Sequence, residues 1–371
     1  MTDSLRGQKD TRLPGFLKAL LTAVFFLFLL YIFFFSIELM SSAFKMAGRG
    51  FAEQLIQMVT DPVAGLLLGF VATGIIQSSS TTTTIVVGLV ASGALTIELA
   101  VPIIMGANIG TTTTAILVSM GHVTRPAEFQ RAFAAATVHD FFNVLAALTL
   151  LPLEVLFHPI QRVAVFLQSM FEGVGGMKMA SPLKAILGPL AELVQGWVPH
   201  MVPLMVIALG LLFFSLQQMM KVMRGAVLSR LESLFDRVLF RNDAAAFTLG
   251  MVCTAAVQSS SATTSLTIPL AGTGVLTLKQ IFPYTLGANV GTTITAILAS
   301  LSTGSPAAVT VALAHLTFNL FGIAIYYPLS FVPIGLATKA GKLAARSKTS
   351  SAMVIVIFIS LILLPLLYIF H

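Results

Sequence analysis

One cysteine, Cys253, stands alone among 371 residues, so no disulfide within the chain can hold the fold together. Charge is almost as scarce. Asp, Glu, Lys and Arg make up 9% of the chain, against about 25% in a soluble globular domain. With 57% hydrophobic residues and a mean hydropathy of +0.95, an ordinary water-soluble fold is excluded. Several apolar runs are long enough to cross a hydrocarbon core of about 30 Å. No metalloprotease, nucleophile-elbow, Walker or dinucleotide-binding pattern occurs in a suitable context, so the reading is of a non-enzyme. No cleavable leader is expected either. Leu17 to Met40 is too long for a signal-peptide core and no small-residue cleavage site follows it, so it reads as a retained first span. The net charge of +7 is no nucleic-acid signal. The basic residues gather in a few clusters between apolar runs, as loops on the cytoplasmic side of a membrane do.

What the chain does have is one stretch written twice. Gln77–Leu117 reads QSSSTTTTIVVGLVASGALTIELAVPIIMGANIGTTTTAIL, and Gln258–Leu298 reads QSSSATTSLTIPLAGTGVLTLKQIFPYTLGANVGTTITAIL. The offset is 181 residues without a gap, and 21 of 41 positions are identical. This is an internal duplication with a period too long for a solenoid. It suits two halves of one membrane protein with the QSSS segments facing each other.

Taken in order, residues 1–16 are a polar, basic tail, and a first transmembrane repeat covers 17–152. Within it a helix of about 17–42 leads to a mixed stretch at 44–60, read as lying along the interface. From Pro62 two apolar pieces of about 15 residues flank QSSS, each too short to span at 1.5 Å per residue. A re-entrant hairpin over 62–92 with its tip at Gln77–Ser80 is the expected shape, buried in protein or beside a wet cavity. A span at 97–120 is interrupted by Gly106-Ala-Asn-Ile-Gly110, read as local unwinding. A further span at 132–152 carries His139, Asp140 and Asn143. Residues 153–200 read as an irregular outer linker with short interfacial helices. The second repeat covers 201–332. It has a span at 201–220, then a basic amphipathic stretch with Leu228, Leu231, Phe235, Val238 and Leu239 opposite Arg230, Arg237 and Arg241. A second hairpin follows at 244–272, a broken span at 276–301 around Gly287-Ala-Asn-Val-Gly291, and a span at 306–332 with His315 and Asn319. Residues 333–371 read as a basic loop (Lys339, Lys342, Arg346, Lys348) and a last span. If both hairpins return to their own side, every basic cluster and the N-terminus fall in the cytoplasm. The two broken spans then cross in opposite directions. The fold class expected is therefore an all-α polytopic membrane protein with two inverted-topology repeats.

At each hairpin tip the second helix begins at the serines, and its first N–H groups have no partner within the helix. Two such ends aimed at one spot make an anion site. Ser78, Ser79, Ser80, Ser259, Ser260 and Ser261 add rotatable donors, and the Gln77 and Gln258 amides add fixed ones. No Lys or Arg lies in the middle of any span. Two helix ends supply only about one unit of positive charge, too little for a divalent anion in a low-dielectric site. Co-bound small cations are the remedy, and they couple anion movement to a cation gradient. Candidate ligands are the carbonyls around Asn108 and Asn289, and the hydroxyls of Thr111, Thr112, Thr292 and Thr293. Asp140, the one acid near the centre of a span, is a cation ligand or proton carrier unless it merely pairs with a buried donor. Asn143 and Asn319 either orient the broken spans or bind cation. A plainer reading stands beside each. Serine and threonine often bond helix backbone, and the four glycines can serve close packing as well as unwinding. His139 and His315 read as structural polar contacts, and Cys253 as packing.

At these residues the chain resembles the type II sodium-dependent phosphate cotransporters. The resemblance covers both repeats and Phe129–Asn143 (FQRAFAAATVHDFFN), continuing to Glu154. It implies inorganic phosphate as substrate, in the divalent form, with Na+ as the driving ion and no other cofactor or transition metal. The residues at 77–80 and 258–261 match those lining the family's substrate site. Asp140 matches the aspartate of electrogenic members, and Asn143 and Thr111 match positions assigned to sodium. Vertebrate members carry a large disulfide-bearing, glycosylated outer loop between the halves. The 153–200 linker is short and lacks cysteine, which looks like a compact bacterial form. The 121–128 loop, with His122 and Arg125, also departs from the more acidic vertebrate version. The reading is a symporter of a bacterial cytoplasmic membrane, working by alternating access, with phosphate, Na+ and lipid as partners and no nucleic acid. A cotransporter of another small oxyanion or carboxylate, or a passive anion channel, is the alternative.

Overall fold

The structure is a computed structural model. It describes residues 15–59, 61–173, 176–238, 242–347 and 349–350, and beyond them 353, 356–357 and 360. Most of the expected tail and of the last span at 352–370 therefore lie outside the described residues. So do Leu239, Arg241 and the side chains of 224–238, which carry the amphipathic face expected there.

Regular structure among the described residues is helical throughout. The first half comprises α1 (Gly15–Met58), α2 (Pro62–Ile76), α3 (Ser79–Ser92), α4 (Ile97–Ile109), a 3-10 turn (Gly110–Thr112), α5 (Thr113–Ser119) and α6 (Pro126–Phe157). Then come α7 (Pro159–Gly173), α8 (Gly176–Trp197) and α9 (Met201–Val238). The second half comprises α10 (Asp243–Val257), α11 (Ser260–Ser265), α12 (Thr267–Thr273), α13 (Leu278–Thr303), α14 (Pro306–Tyr326) and α15 (Phe331–Ala344). Among the described residues, five stretches are long and apolar enough to cross a membrane: Ala19–Gly48, Pro126–Phe157, Met201–Met223, Leu278–Thr303 and Pro306–Tyr326. Large apolar side chains also point outward, among them Leu27, Phe28, Leu148, Leu156 and Val202. That surface suits lipid as solvent, and the protein is an all-α membrane protein.

Helix starts follow local chemistry. Asp61 Oδ1 accepts from the Val63 and Ala64 amides at 2.8 and 2.9 Å, with Pro62 at the first helical position of α2. Asn242 Oδ1 accepts from Ala245 N at 2.8 Å and starts α10. Thr277 and Gln280 form a reciprocal capping box at α13.

The duplication reappears as a duplicated backbone contact. A side chain at Gly69 would overlap the Ile103 carbonyl, and one at Gly106 the Leu66 carbonyl. In the second half the same overlaps would occur at Gly250 with Tyr284 and at Gly287 with Phe247. Gly110 and Gly291 lie likewise against Thr73 and Thr254. Each residue here lies 181 positions from its counterpart. These glycines let α2 lie on α4, and α10 on α13, backbone to backbone.

That packing corrects one expectation. The second span is not broken, because α13 runs continuously through Gly287–Gly291. Its glycines are there for the contact with α10, and only the first half departs from α geometry, at Gly110–Thr112. The linker is also more regular than its glycines and prolines suggest, since α7 and α8 fill most of it. Glu154 starts α7 by accepting from Ile160 N at 2.7 Å and Gln161 N at 3.1 Å. Residues 44–58 continue α1 as helix, with a kink at Gly48 (φ 72°, ψ −173°).

The core places the two hairpins. Met40 of α1 lies against Gly88 of α3. Val86, Val87 and Val90 of α3 share a cluster with Ala296 and Ala299, near the end of α13, and with Ala308 and Ala312 of α14. The α10–α12 arm instead opens through Gly274–Thr277 straight into the start of α13. The open ends of the two hairpins thus lie toward opposite ends of one helix of 26 residues, about 39 Å long.

Candidate anion and cation site at the paired Gln-Ser-Ser-Ser turns

Both turns are built alike. Gln77 adopts φ 61°, ψ 25° and Gln258 φ 57°, ψ 28°. They are two of the three non-glycine residues with positive φ among the described residues, the other being His158. A left-handed residue with a Cβ costs roughly 1–2 kcal/mol, so the bend is held by its surroundings. Ser78 and Ser259 are then the caps of α3 and α11, accepting from Thr81 N and Ala262 N, each at 3.2 Å. The Ser78 hydroxyl also accepts from the Thr81 hydroxyl at 2.9 Å. These caps explain why the chain restarts as helix two residues after each glutamine.

The next serines differ in what they touch. Ser79, Ser80 and Ser260 are buried, and their hydroxyls make no hydrogen bond among the described residues. Ser261 donates to the Thr111 carbonyl at 3.2 Å, which joins the second turn to the first half. Gln77 is exposed and its Nε2 donates to the Gly74 carbonyl. Gln258 is buried, and its Oε1 has no donor.

Behind the turns, the asparagines of both halves meet. Asn289 Nδ2 donates to Asn143 Oδ1 at 2.7 Å, and Asn143 Nδ2 donates to the Asn108 carbonyl at 2.9 Å. Asn319 Nδ2 donates to the Asn289 carbonyl at 3.3 Å. His139 Nε2 lies 2.6 Å from Asn289 Oδ1, and His315 Nε2 lies 3.2 Å from Asn108 Oδ1. Each histidine therefore bonds the asparagine of the opposite half. With Nε2 donating, His315 Nδ1 is a buried acceptor without a partner, as is Asn319 Oδ1.

The candidate cation ligands divide accordingly. Asn108, Asn143 and Asn289 are committed to this network and offer only second lone pairs. Thr111, Thr292 and Thr293 donate their protons to carbonyls at 2.9, 2.5 and 2.7 Å, which leaves hydroxyl lone pairs free. The Thr112 side chain lies outside the described residues. Asp140 is half-buried, one residue from His139, with no hydrogen bond among the described residues. The plainer alternative for Asp140, pairing with a buried donor, is thus not seen among the described residues. His139 and His315 make the structural polar contacts expected of them, and their shared His-x3-Asn spacing to Asn143 and Asn319 does not show that these contacts cross between the halves.

A family model described as Na+/Pi-cotransporter matches residues 32–179 and 211–369. The chain belongs to the sodium/phosphate cotransporter family. Sodium-dependent phosphate transport protein 2B of Homo sapiens is 30% identical over 458 residues, covering 96% of this chain and 66% of its own length. Protein 2A of Ovis aries is 31% identical, and that of Rattus norvegicus 32%, each covering 91% of this chain and 65% of its own length. The chain thus spans a little under two thirds of these relatives. No solved structure matches it. Within the family frame, the match takes in both turns and the whole asparagine–histidine network.

Proposed function

We propose that the chain imports inorganic phosphate, as HPO4 2−, together with Na+, by alternating access about one site formed by the two turns. The names of its relatives support substrate and driving ion. The observation that carries the site is the pair of identical turns, each ending one helix at a left-handed glutamine and starting the next at a serine cap. Ser79, Ser80 and Ser260 bring hydroxyls with no acceptor among the described residues, and a tetrahedral oxyanion presents acceptors on every side. Na+ offsets the charge that the helix ends leave uncompensated. Asp140, the lone pairs of Thr111, Thr292 and Thr293, and Asn319 Oδ1 are its ligands in this reading, and Asn319 and Thr292 meet at the Asn289 carbonyl.

The hairpins are re-entrant and the repeats inverted. Their opposite-facing open ends support this, as does the distribution of charge. Arg131 and Lys339 belong to elements near the opening of the second hairpin, while near that of the first Arg162 stands with Glu98 and Glu154. By the positive-inside bias the second opening and the N-terminus face the cytoplasm of a bacterial cell. Sodium binding raises phosphate affinity, and linkage requires the reverse by the same factor.

The test is uptake of phosphate into proteoliposomes under an imposed sodium gradient, with sulfate, arsenate and small carboxylates as competitors. Accumulation above equilibrium that only arsenate blocks supports the reading. Flux that ignores the gradient indicates a channel, and block by sulfate or a carboxylate moves the substrate.

A further inference from the structure

The open end of the second hairpin packs on α6 through Ile268 and Ala271, and among the described residues one side chain of the other half, Arg131, hydrogen-bonds it. Arg131, near the start of α6, donates from Nε and Nη2 to the Gly272 carbonyl at 2.9 and 2.6 Å, and from Nε to the Ala271 carbonyl at 3.3 Å. Those carbonyls end α12, where a helix has acceptors without intrahelical partners. The planar guanidinium suits a two-pronged grip that an ammonium cannot copy. Gly274, the cap of α12, lies under the same guanidinium, and the His122 ring lies against Gly272.

Two further facts make the grip more than packing. The acid nearest in sequence, Glu128, is occupied by His122 Nδ1 at 3.0 Å and Arg125 Nη1 at 3.1 Å, so the hairpin is the anchor of Arg131 among the described residues. Among the described residues the first hairpin has no such side-chain grip at its open end. Its matching cap, Gly93, adopts almost the same φ (80° against 85°) and has no atom of another element within 4 Å of where its Cβ would stand. A cavity of about 170 Å³ adjoins Arg131, lined also by Gln130, Ala134, Gly274 and Thr338. It leaves the side chain room to swing off the carbonyls.

We propose that Arg131 is the latch of the second hairpin. It ties the carbonyl end of α12 to α6 in this conformation and must let go for that hairpin to move. Arg131 is a positioning residue, since it acts through the hairpin. The inference rests on the alternating-access reading.

The test uses the full chain in proteoliposomes with Cys253→Ala and Ala271→Cys, the latter a buried position in the gripped turn. A membrane-impermeant maleimide reports exposure of that turn, while sodium-driven phosphate uptake gives KM and turnover. Arg131→Gln should speed labelling about tenfold, the scale of one lost charge-assisted hydrogen bond. Arg131→Lys, which keeps the charge and loses the fork, should fall between the two and decides the matter should the Gln variant fail to fold. Turnover should change while the phosphate KM stays within about twofold. Unchanged labelling in folded variants, or a raised KM without faster labelling, would overturn the latch. Labelling does not depend on which ion is carried, so a wrong substrate leaves this readout intact.

Discussion

The two repeats share a frame and differ in what hangs on it. Both have the left-handed glutamine, the serine cap and the glycine contacts, residue for residue. Yet Gln77 is exposed where Gln258 is buried. Thr73 donates to Thr82 across the first hairpin at 3.0 Å, while its counterpart Thr254 has a buried hydroxyl without a partner among the described residues. The α3 arm is one helix of 14 residues, while its counterpart is divided at Leu266 into α11 and α12. In the aligned His-x3-Asn segments, Asp140 faces Leu316, so the intramembrane carboxylate belongs to one half only. The lesson is a division of labour. What bends the chain and packs the hairpins had to be kept twice, because each half needs it to fold. What sets charge and motion could diverge, because the pair needs it once.

Removing the shared frame should have the largest effect. Gly287→Val or Gly106→Val puts a side chain onto a backbone carbonyl that cannot retreat without moving a helix. Each should cost about 3 kcal/mol or more and, in a thermal melt in detergent, leave little folded protein. Equal losses in the two variants sharpen the comparison. Loss in one alone breaks it.

Asp140→Gly should come next, removing most of the charge moved per phosphate while uptake continues. Current recorded beside tracer uptake checks this, and full current in a variant with a working sodium site would assign the charge elsewhere. Ser79→Ala and Ser260→Ala should each weaken phosphate binding by about 1–3 kcal/mol. Wild-type affinity in either would take that repeat out of the site.

The smallest effect is the most asymmetric. Thr73→Val should destabilise by about 1 kcal/mol through loss of the bond to Thr82. Thr254→Val removes a hydroxyl that has no partner and should be neutral or stabilising. Chemical denaturation of the pair measures the sign.

Much of this was legible in the sequence because it depends on nearby residues. The QSSS turn is written locally, since a glutamine bend needs a cap and the next residue supplies it. The all-helical membrane character follows from composition. What was not legible depends on a distant partner. Gly287 and Gly291 read as a break in a helix until α10 lies against them. Arg131 read only as part of a basic loop, because its acceptors are backbone carbonyls 141 residues away, to which no residue type gives a clue. His139 and His315 gave their spacing but not their crossing, since only the fold shows that each bonds the asparagine of the other half.

The central claim is that two turns from two repeats make one anion site. Equilibrium dialysis of labelled phosphate against the purified chain in saturating sodium tests it most directly, in the wild type and in Ser79→Ala and Ser260→Ala. One phosphate per chain is expected, with both variants lowering the affinity of that one site. Two phosphates per chain, each sensitive to only one of the substitutions, would contradict it.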